Sequence, residues 1–380
     1  MCKIRCIFIG LLLGVTVELQ AFTFPSHHPL LNNNYAKDSN ALYLNFYNTN
    51  FLWNNEFFND IVNGYTLIGY FLTPEFQYHI TPSIKIQGGV HLLKYTGAED
   101  FSTISPTYAA IFTKDDYTLI MGKLWGTINH RVPEPLLFSE RFFTNNLENG
   151  VQFIVDKDRF FFDTWLDWQS FIFPQDNKQE QLAAGISTHP WLIKSQKWEI
   201  STPASLIVGH RGGQIDTLDI PMRTLLNSSL GGKVLYKLPY KFLDRVSFET
   251  HLVGFKDNSP TMKSLYSSGQ GSLSQLTFGL QGNYFQIGYW HSNQFLSLMG
   301  HPIFQSYSEK GTGYHQRIRE LLTFHLFYSK DIYKGIYLGL MGDTYVDLIN
   351  GNVDYSMGLT LIIKHNFFLK RFKGNEKGQG

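Results

Sequence analysis

Cysteine is almost absent from this chain. The two that occur, Cys2 and Cys6, stand in the first six residues, so everything downstream is expected to fold without disulfides or thiol chemistry. Long hydrophobic runs are missing too. Past the N-terminal segment no stretch reaches the roughly eighteen apolar residues that a transmembrane helix needs. Charge is scarce, at 17% Asp, Glu, Lys and Arg, and nearly balanced at +1. Such a balance gives no field that would gather nucleic acid, and no basic patch is interleaved with aromatics, so no nucleic-acid partner is expected. Phosphate-binding loops, dinucleotide fingerprints and zinc-protease motifs are all missing. The thirteen histidines include the adjacent His27 and His28, but no partnering cluster with ligand spacing. Neither a metal nor a cofactor is expected.

What the chain does have in quantity is aromatic residues, 16%, an excess that suits a protein whose outer surface is not all in water. Its start, "MCKIRCIFIGLLLGVTVELQAFTF", combines Lys3 and Arg5 with an apolar run from Ile7 to Val17 and a small residue, Ala21. This is the pattern of a cleaved secretory signal peptide over 1–21, followed by a lead-in over 22–40. Export across an inner membrane is the expectation, toward the outer membrane of a Gram-negative cell.

From there to Leu369 the hydrophobic pattern has a period of two. "IKIQGGVHLL" sets Ile84, Ile86, Val90 and Leu92 against Lys85, Gln87 and His91. "FFFDTWLDWQ" sets Phe160, Phe162, Leu166 and Trp168 against Asp163, Asp167 and Gln169. "VDYSMGLTLIIK" does the same further on. Alternation of this kind predicts half-buried strands, about sixteen of them. They begin near residues 41, 65, 84, 106, 117, 148, 159, 179, 197, 223, 245, 272, 284, 316, 335 and 352. Tight turns such as 81–83, 114–116, 157–158 and 332–334 alternate with long segments such as 126–150 and 296–314. Short turns at one end and long loops at the other describe a transmembrane antiparallel up-and-down β-barrel over 41–369, with a charged tail over 370–380. Aromatics at strand ends, among them Tyr43, Tyr65, Tyr95, Tyr108, Tyr117, Trp125, Trp198, Tyr284, Tyr328, Tyr333 and Phe367, are expected to form interfacial girdles. A soluble sandwich would give similar alternation. However, its core would have to bury the charges on the polar face, at prohibitive cost. In a barrel this wide the same face lines a watery lumen. The expected lining is Lys85, His91, Asp163, Asp167, Glu199, Arg211, Lys233, Glu249, His251, Arg317, Arg319, His325, Asp343 and Lys364.

At this point the chain resembles the sixteen-stranded porins of Gram-negative outer membranes in strand number, loop alternation and an aromatic-rich last strand. In such porins the loop after the fifth strand folds inward and narrows the channel. By position in the strand order, that resemblance implies a constriction in 126–147, with His130, Arg131, Glu134, Glu140 and Arg141 as its charges. Pro133 and Pro135 stiffen the segment. The implied function is passive diffusion of small hydrophilic solutes, including oligosaccharides, through a non-enzymatic channel. Its partners would be outer-membrane lipid, the solutes and other copies in a homo-oligomer. A non-conducting barrel for envelope assembly, export or surface attachment is the alternative, with a barrel enzyme acting on lipid or polysaccharide behind it.

Two short stretches invite catalytic readings. "GHRGGQID" (209–216) carries the HRG triplet of glycerophosphodiesterases, but lacks the glutamate that such a site requires. "GYWHSNQF" (288–295) holds His291, Ser292 and Asn293, whose adjacency puts neighbouring side chains on opposite faces of a strand. Neither is expected to be catalytic.

Overall fold

The structure is a computed structural model that describes residues 39–372, apart from 214, 217, 262, 263 and 282. The expected signal peptide and most of the lead-in and tail lie outside the described residues. The strands are β1 (Ala41–Glu56), β2 (Tyr65–His79), β3 (Ile84–Tyr95), β4 (Thr103–Lys114), β5 (Tyr117–Lys123), β6 (Asn149–Lys157), β7 (Phe160–Ser170), β8 (Gln181–Lys194) and β9 (Trp198–Ser201). There follow β10 (Ala204–Arg211), β11 (Arg223–Lys237), β12 (Arg245–Asp257), β13 (Ser268–Leu280), β14 (Asn283–Asn293), β15 (Ile318–Tyr333), β16 (Ile336–Asp347) and β17 (Val353–Arg371).

All of them join one antiparallel sheet, which closes because β17 pairs with β1 from Ala41↔Arg371 to Glu56↔Tyr355. Closure leaves no unpaired edge in the hydrocarbon, the condition under which a sheet can span a membrane. β9 and β10 are one wall strand interrupted at Thr202 and Pro203, since β8 and β11 each pair with both pieces. Proline has no N–H to give to the ladder, so the break falls where the sequence places Pro203. The wall therefore has sixteen strands. Every expected start falls within four residues of an observed one.

Burial follows the period of two. Lys85, Gln87 and His91 are buried on the inner face of β3, and Asp354, Ser356 and Thr360 on that of β17. Leu230, Leu252 and Met357 stand outward and exposed. The girdle needs correction. Tyr108, Tyr117, Trp198, Tyr328, Tyr333 and Phe367 do face outward, but Tyr43 and Trp125 are buried. Tyr95 donates to the Phe143 carbonyl at 3.2 Å, and Tyr284 lines an internal cavity. Tyr95 and Tyr284 meet inserted loop residues, whereas Tyr43 packs between His79 and Phe368 of the neighbouring strands.

The lumen is likewise not the watery channel expected. Three long-loop segments fold into it: 57–64, 124–148 and 294–317. Their apolar side chains, including Phe57, Ile61, Leu136, Leu137, Phe295, Ile303 and Phe304, form one buried cluster with inward residues of the wall such as Trp165, Ile207, Trp290 and Tyr345. A second cluster joins Phe142 and Phe143 to Phe51, Trp53 and Phe71. Phe143 sits 4.9 Å from Phe51 between ring centroids. The inserted segments also pair with each other: Leu137 bridges Met299 in parallel, Phe138 N–H donates to the Met299 carbonyl at 2.9 Å, and His301 N–H to that of Glu134 at 3.1 Å. A Cβ added to Gly300 would lie 1.8 Å from the Pro135 carbonyl oxygen, so this approach requires glycine.

Candidate functional site

The segment 124–148 crosses the lumen and is tied to the wall at three places. The deepest tie is His130. A 3-10 turn over Thr127–His130 delivers the imidazole to β7, where Nδ1 lies 2.7 Å from Asp163 Oδ2 and Nε2 2.8 Å from Glu148 Oε2. The ring lies flat on Trp165, with centroids 3.6 Å apart, and Trp165 in turn lies over Gly185, where a Cβ would come within 2.1 Å of it. Gln152 donates to Asp163 at 2.9 Å. With both nitrogens engaged, His130 is a clasp and not a proton shuttle.

The second tie is Glu134. Its carboxylate accepts from Tyr345 Oη at 2.8 Å and faces His325 Nε2 at 3.6 Å, while His325 Nδ1 is 2.8 Å from Asp343. Burial pushes the Glu134 carboxyl above its usual range, against the pull of His325. The third tie is Glu140, which accepts from Asn55 at 2.7 Å and from Tyr65. Burial raises this carboxyl as well, partly offset by those donors.

The residues expected to form an eyelet are therefore brought into one loop, but most sit within packed protein. His130 and Glu140 are buried, and Arg141 Nη2 is 4.0 Å from Glu148 in an ion pair, with Nε and Nη2 buried and making no hydrogen bond. Arg131 alone opens toward the short-turn end, its guanidinium 3.6 Å from the Phe161 ring centre and 3.8 Å from Asp156. Of the expected lining residues, Lys85, His91, Asp163, Asp167, Arg319, His251 and His325 are buried on inward faces. Glu199, Lys233, Glu249, Asp343 and Lys364 share those faces at intermediate exposure. Arg319 holds the 294–317 segment, donating to Asp347 at 2.5 Å and to the Ile303 carbonyl at 2.9 Å. Arg211 keeps the inward parity of Ile207 but stands exposed at the last pair of β10, and Arg317 is a correction, since it lies exposed at the mouth just before β15.

The charge state of His130 yields a test. Burial works against its protonation, but Asp163 and Glu148 outweigh that and push its pKa up to about 9 from the ordinary 6.5. A folded pKa above the unfolded one stabilises fully below about pH 6.5, and the contribution is lost as pH rises through about 9. The loop should therefore unseat between pH 8 and 10. Trp165 reports on this through its stacking. The fluorescence difference between the wild type and Trp165→Phe should rise across that interval, and a flat difference would refute the clasp.

Below the crossing lies a cavity of about 360 Å³, lined by Trp53, Glu134, Ser139, Tyr284, Gln286, His325 and Asp343 among others. A different polar pair occupies the outer wall. Ile207 and Leu225 face inward and are buried, so His210 and Thr224, of opposite parity, face outward. They are register partners, and His210 Nδ1 lies 2.9 Å from Thr224 Oγ1. Their row continues through Leu182 to Trp168. One residue above, Ser170, Gln181, Arg211 and Arg223 form the rim. His210 lies in the stretch set aside for lacking a phosphodiesterase glutamate. Strand parity would have found it, as a polar residue on an apolar face at a strand end.

A family model described as lipid A 3'-O-deacylase-type matches residues 34–372. No curated protein matches the chain. Among solved structures, a loop-L8 deletion mutant of OmpT, an outer membrane protein of Vibrio cholerae, superposes with a TM-score of 0.50 at 12% identity, covering 86% of this chain and 100% of that one. The outer membrane protein OprD of Pseudomonas aeruginosa gives 0.50 at 8% identity, covering 88% and 97%. OccAB4 of Acinetobacter baumannii gives 0.49 at 10%, covering 88% and 100%. At such identities the likeness is one of fold, and the fold is that of outer-membrane barrels. The family match overturns the expectation of a chain with no enzymatic role, because a deacylase is an enzyme. Composition and strand pattern carry no trace of this, since barrels with and without catalytic residues share both.

Proposed function

The chain belongs to the lipid A 3'-O-deacylase-type family, and from that premise we propose that it is an outer-membrane hydrolase removing an ester-linked acyl chain from a lipid A-type glycolipid at the long-loop rim. The observation that carries this reading is the outward pair of His210 and Thr224, with 2.9 Å between Nδ1 and Oγ1. It stands one residue below the strand ends, at the depth where a lipid's acyl esters meet its headgroup. A hydroxyl within hydrogen-bond reach of an imidazole is the minimum for nucleophilic acyl transfer. His210 accepts the Thr224 proton as Oγ1 attacks the ester carbonyl. The imidazolium then protonates the departing sugar alcohol. Water, deprotonated by the same imidazole, releases the fatty acid and restores Thr224.

One observation favours a second location for the same chemistry. His325, oriented by Asp343, presents Nε2 without a hydrogen bond near the internal cavity that also holds Ser139. The polar inner wall with Lys85, Gln87 and His91 also suits a water-filled vestibule, and solute conduction would require the inserted loop to move. Lipid A extracted from cells making the chain should have lost the mass of one acyl group, read by mass spectrometry. Unchanged lipid A would refute the reading. Loss that survives His210→Ala but not His325→Ala would move the chemistry into the lumen.

A further inference from the structure

We infer that the cavity between the 124–148 crossing and the wall of β13–β16 is a binding site for a small organic cation, an ammonium group carried on an apolar stem. The assignment does not rest on the hydrolase reading.

Register builds the wall of this cavity in two rows. Gln286, His325 and Asp343 are consecutive partners on β14, β15 and β16 and face inward. Two residues nearer the short-turn end, Tyr284, Phe327 and Met341 form a second row, and the Tyr284 and Phe327 rings stack with centroids 5.6 Å apart. Trp53 extends that row, since it and Met341 both pair with Gly358. A Cβ on Gly358 would come within 2.4 Å of the indole, so glycine lets Trp53 lie along the wall beside Met341. The crossing closes the other side with Glu134, Leu137 and Ser139. The enclosed space, about 360 Å³, is that of a small-ligand pocket.

The charges in this space do not cancel. His325 Nδ1 lies 2.8 Å from Asp343 Oδ1, and Nε2 3.6 Å from Glu134 Oε2. No lysine or arginine lines the cavity, and among the described residues none pairs with either carboxylate. With both carboxylates ionised, at least one negative charge is left without a counterion, and an unpaired buried charge is costly. The Glu134 carboxyl shows the deficit: burial pushes it up, and Asp343 adds to this against the pull of His325. One polar atom is also left over. His325 is 7% exposed and its Nε2 makes no hydrogen bond. With Nδ1 donating to Asp343, the neutral ring offers Nε2 as an acceptor for an incoming N–H or O–H. Among the described residues no three carboxylate, imidazole or thiol groups converge as metal ligands. The aromatic row suits an organic cation instead, because ring faces attract an ammonium within about 6 Å, and Phe327 and Met341 cover its stem. A cation held here bridges Glu134 of the crossing to Asp343 of the wall, so its binding also tightens the crossing.

The test titrates purified full-length barrel in nanodiscs with tyramine and with tyrosol, the neutral isostere in which a hydroxyl replaces the ammonium, and reads binding by calorimetry. Wild type should bind one tyramine per chain, about tenfold or more tightly than tyrosol. That preference should collapse in Asp343→Asn. Gln286→Lys sets a tethered ammonium two strands from Asp343. It should stop binding tyramine and keep its compact form on gels to a higher temperature than wild type. Heat-modifiable migration verifies that both variants fold. Bound tyramine should likewise raise that temperature in wild type, because it joins the crossing to the wall. Equal affinity for the two compounds, no saturable binding of tyramine, or a preference that survives both Asp343→Asn and Gln286→Lys would overturn the inference.

Discussion

His210→Ala is expected to lower deacylation by about a hundredfold or more, the scale set by removal of a general base from acyl transfer. Thr224→Ala should fall as far if its oxygen forms the acyl-enzyme, because nucleophile and base act as a unit. Thr224→Ser keeps the hydroxyl and should keep most of the rate. His210→Gln keeps a hydrogen-bonding side chain without a titrating base, and should be as inactive as alanine. Neither change should disturb folding. Both side chains lie on the outer face, away from the packed lumen, and the ladder between β10 and β11 is made by the backbone. The measurement is the rate of fatty acid release from lipid A in nanodiscs. If Thr224→Ala stays active while His210→Ala is dead, water is the nucleophile and His210 its base. If both stay active, the outer pair is only a polar contact and His325 becomes the catalytic candidate.

The same residues show what a sequence of this kind discloses. Strand positions were legible because a barrel wall has two environments and the side chains alternate between them, so each start could be read from period alone. Lys85, Gln87 and His91 turned inward as the pattern required. The insertion of 124–148 was implied only by its place after the fifth strand, through the resemblance to porins. Its character was not. Charge in a loop suggests solvent, yet Glu134 and Glu140 are each satisfied by partners hundreds or tens of residues away, Tyr345 and Asn55. Such pairings depend on which wall strand a loop happens to meet, and local sequence does not encode that. Leu136, Leu137, Phe142 and Phe143 carried a clearer signal, since four large apolar side chains in one loop need a core to enter. The outer pair was hidden for a different reason. His210 belongs to a strand, Thr224 to the next but for a loop, and only the register between β10 and β11 makes them neighbours.

His130→Ala should cost about 3–5 kcal/mol, because it leaves two buried carboxylates facing a hole with no cation between them. Asp163 and Glu148 are almost fully enclosed, at 1% and 0% side-chain exposure, and each is within 2.8 Å of the imidazole. Deleting the ring also strips Trp165 of its stacking partner. The protein has two ways to respond. It can bind a proton between the carboxylates, which are free to share one, or it can release the loop and admit water. Either response weakens the tie at the deepest point of the crossing, and Glu134 and Glu140 then hold the segment alone. The variant should lose its compact, heat-modifiable form at lower temperature than wild type. Released from the wall, 124–148 should also uncover the lumen, so in planar bilayers wild type is expected to be silent and His130→Ala to show stepwise conductance. Asp163→Asn/Glu148→Gln/His130→Ala removes the stranded charges and should recover much of the stability without reseating the loop. A His130→Ala protein as stable as wild type and equally silent would mean that the apolar clusters around Phe143 and Phe304 close the barrel by themselves, with the buried histidine contributing nothing to the seal.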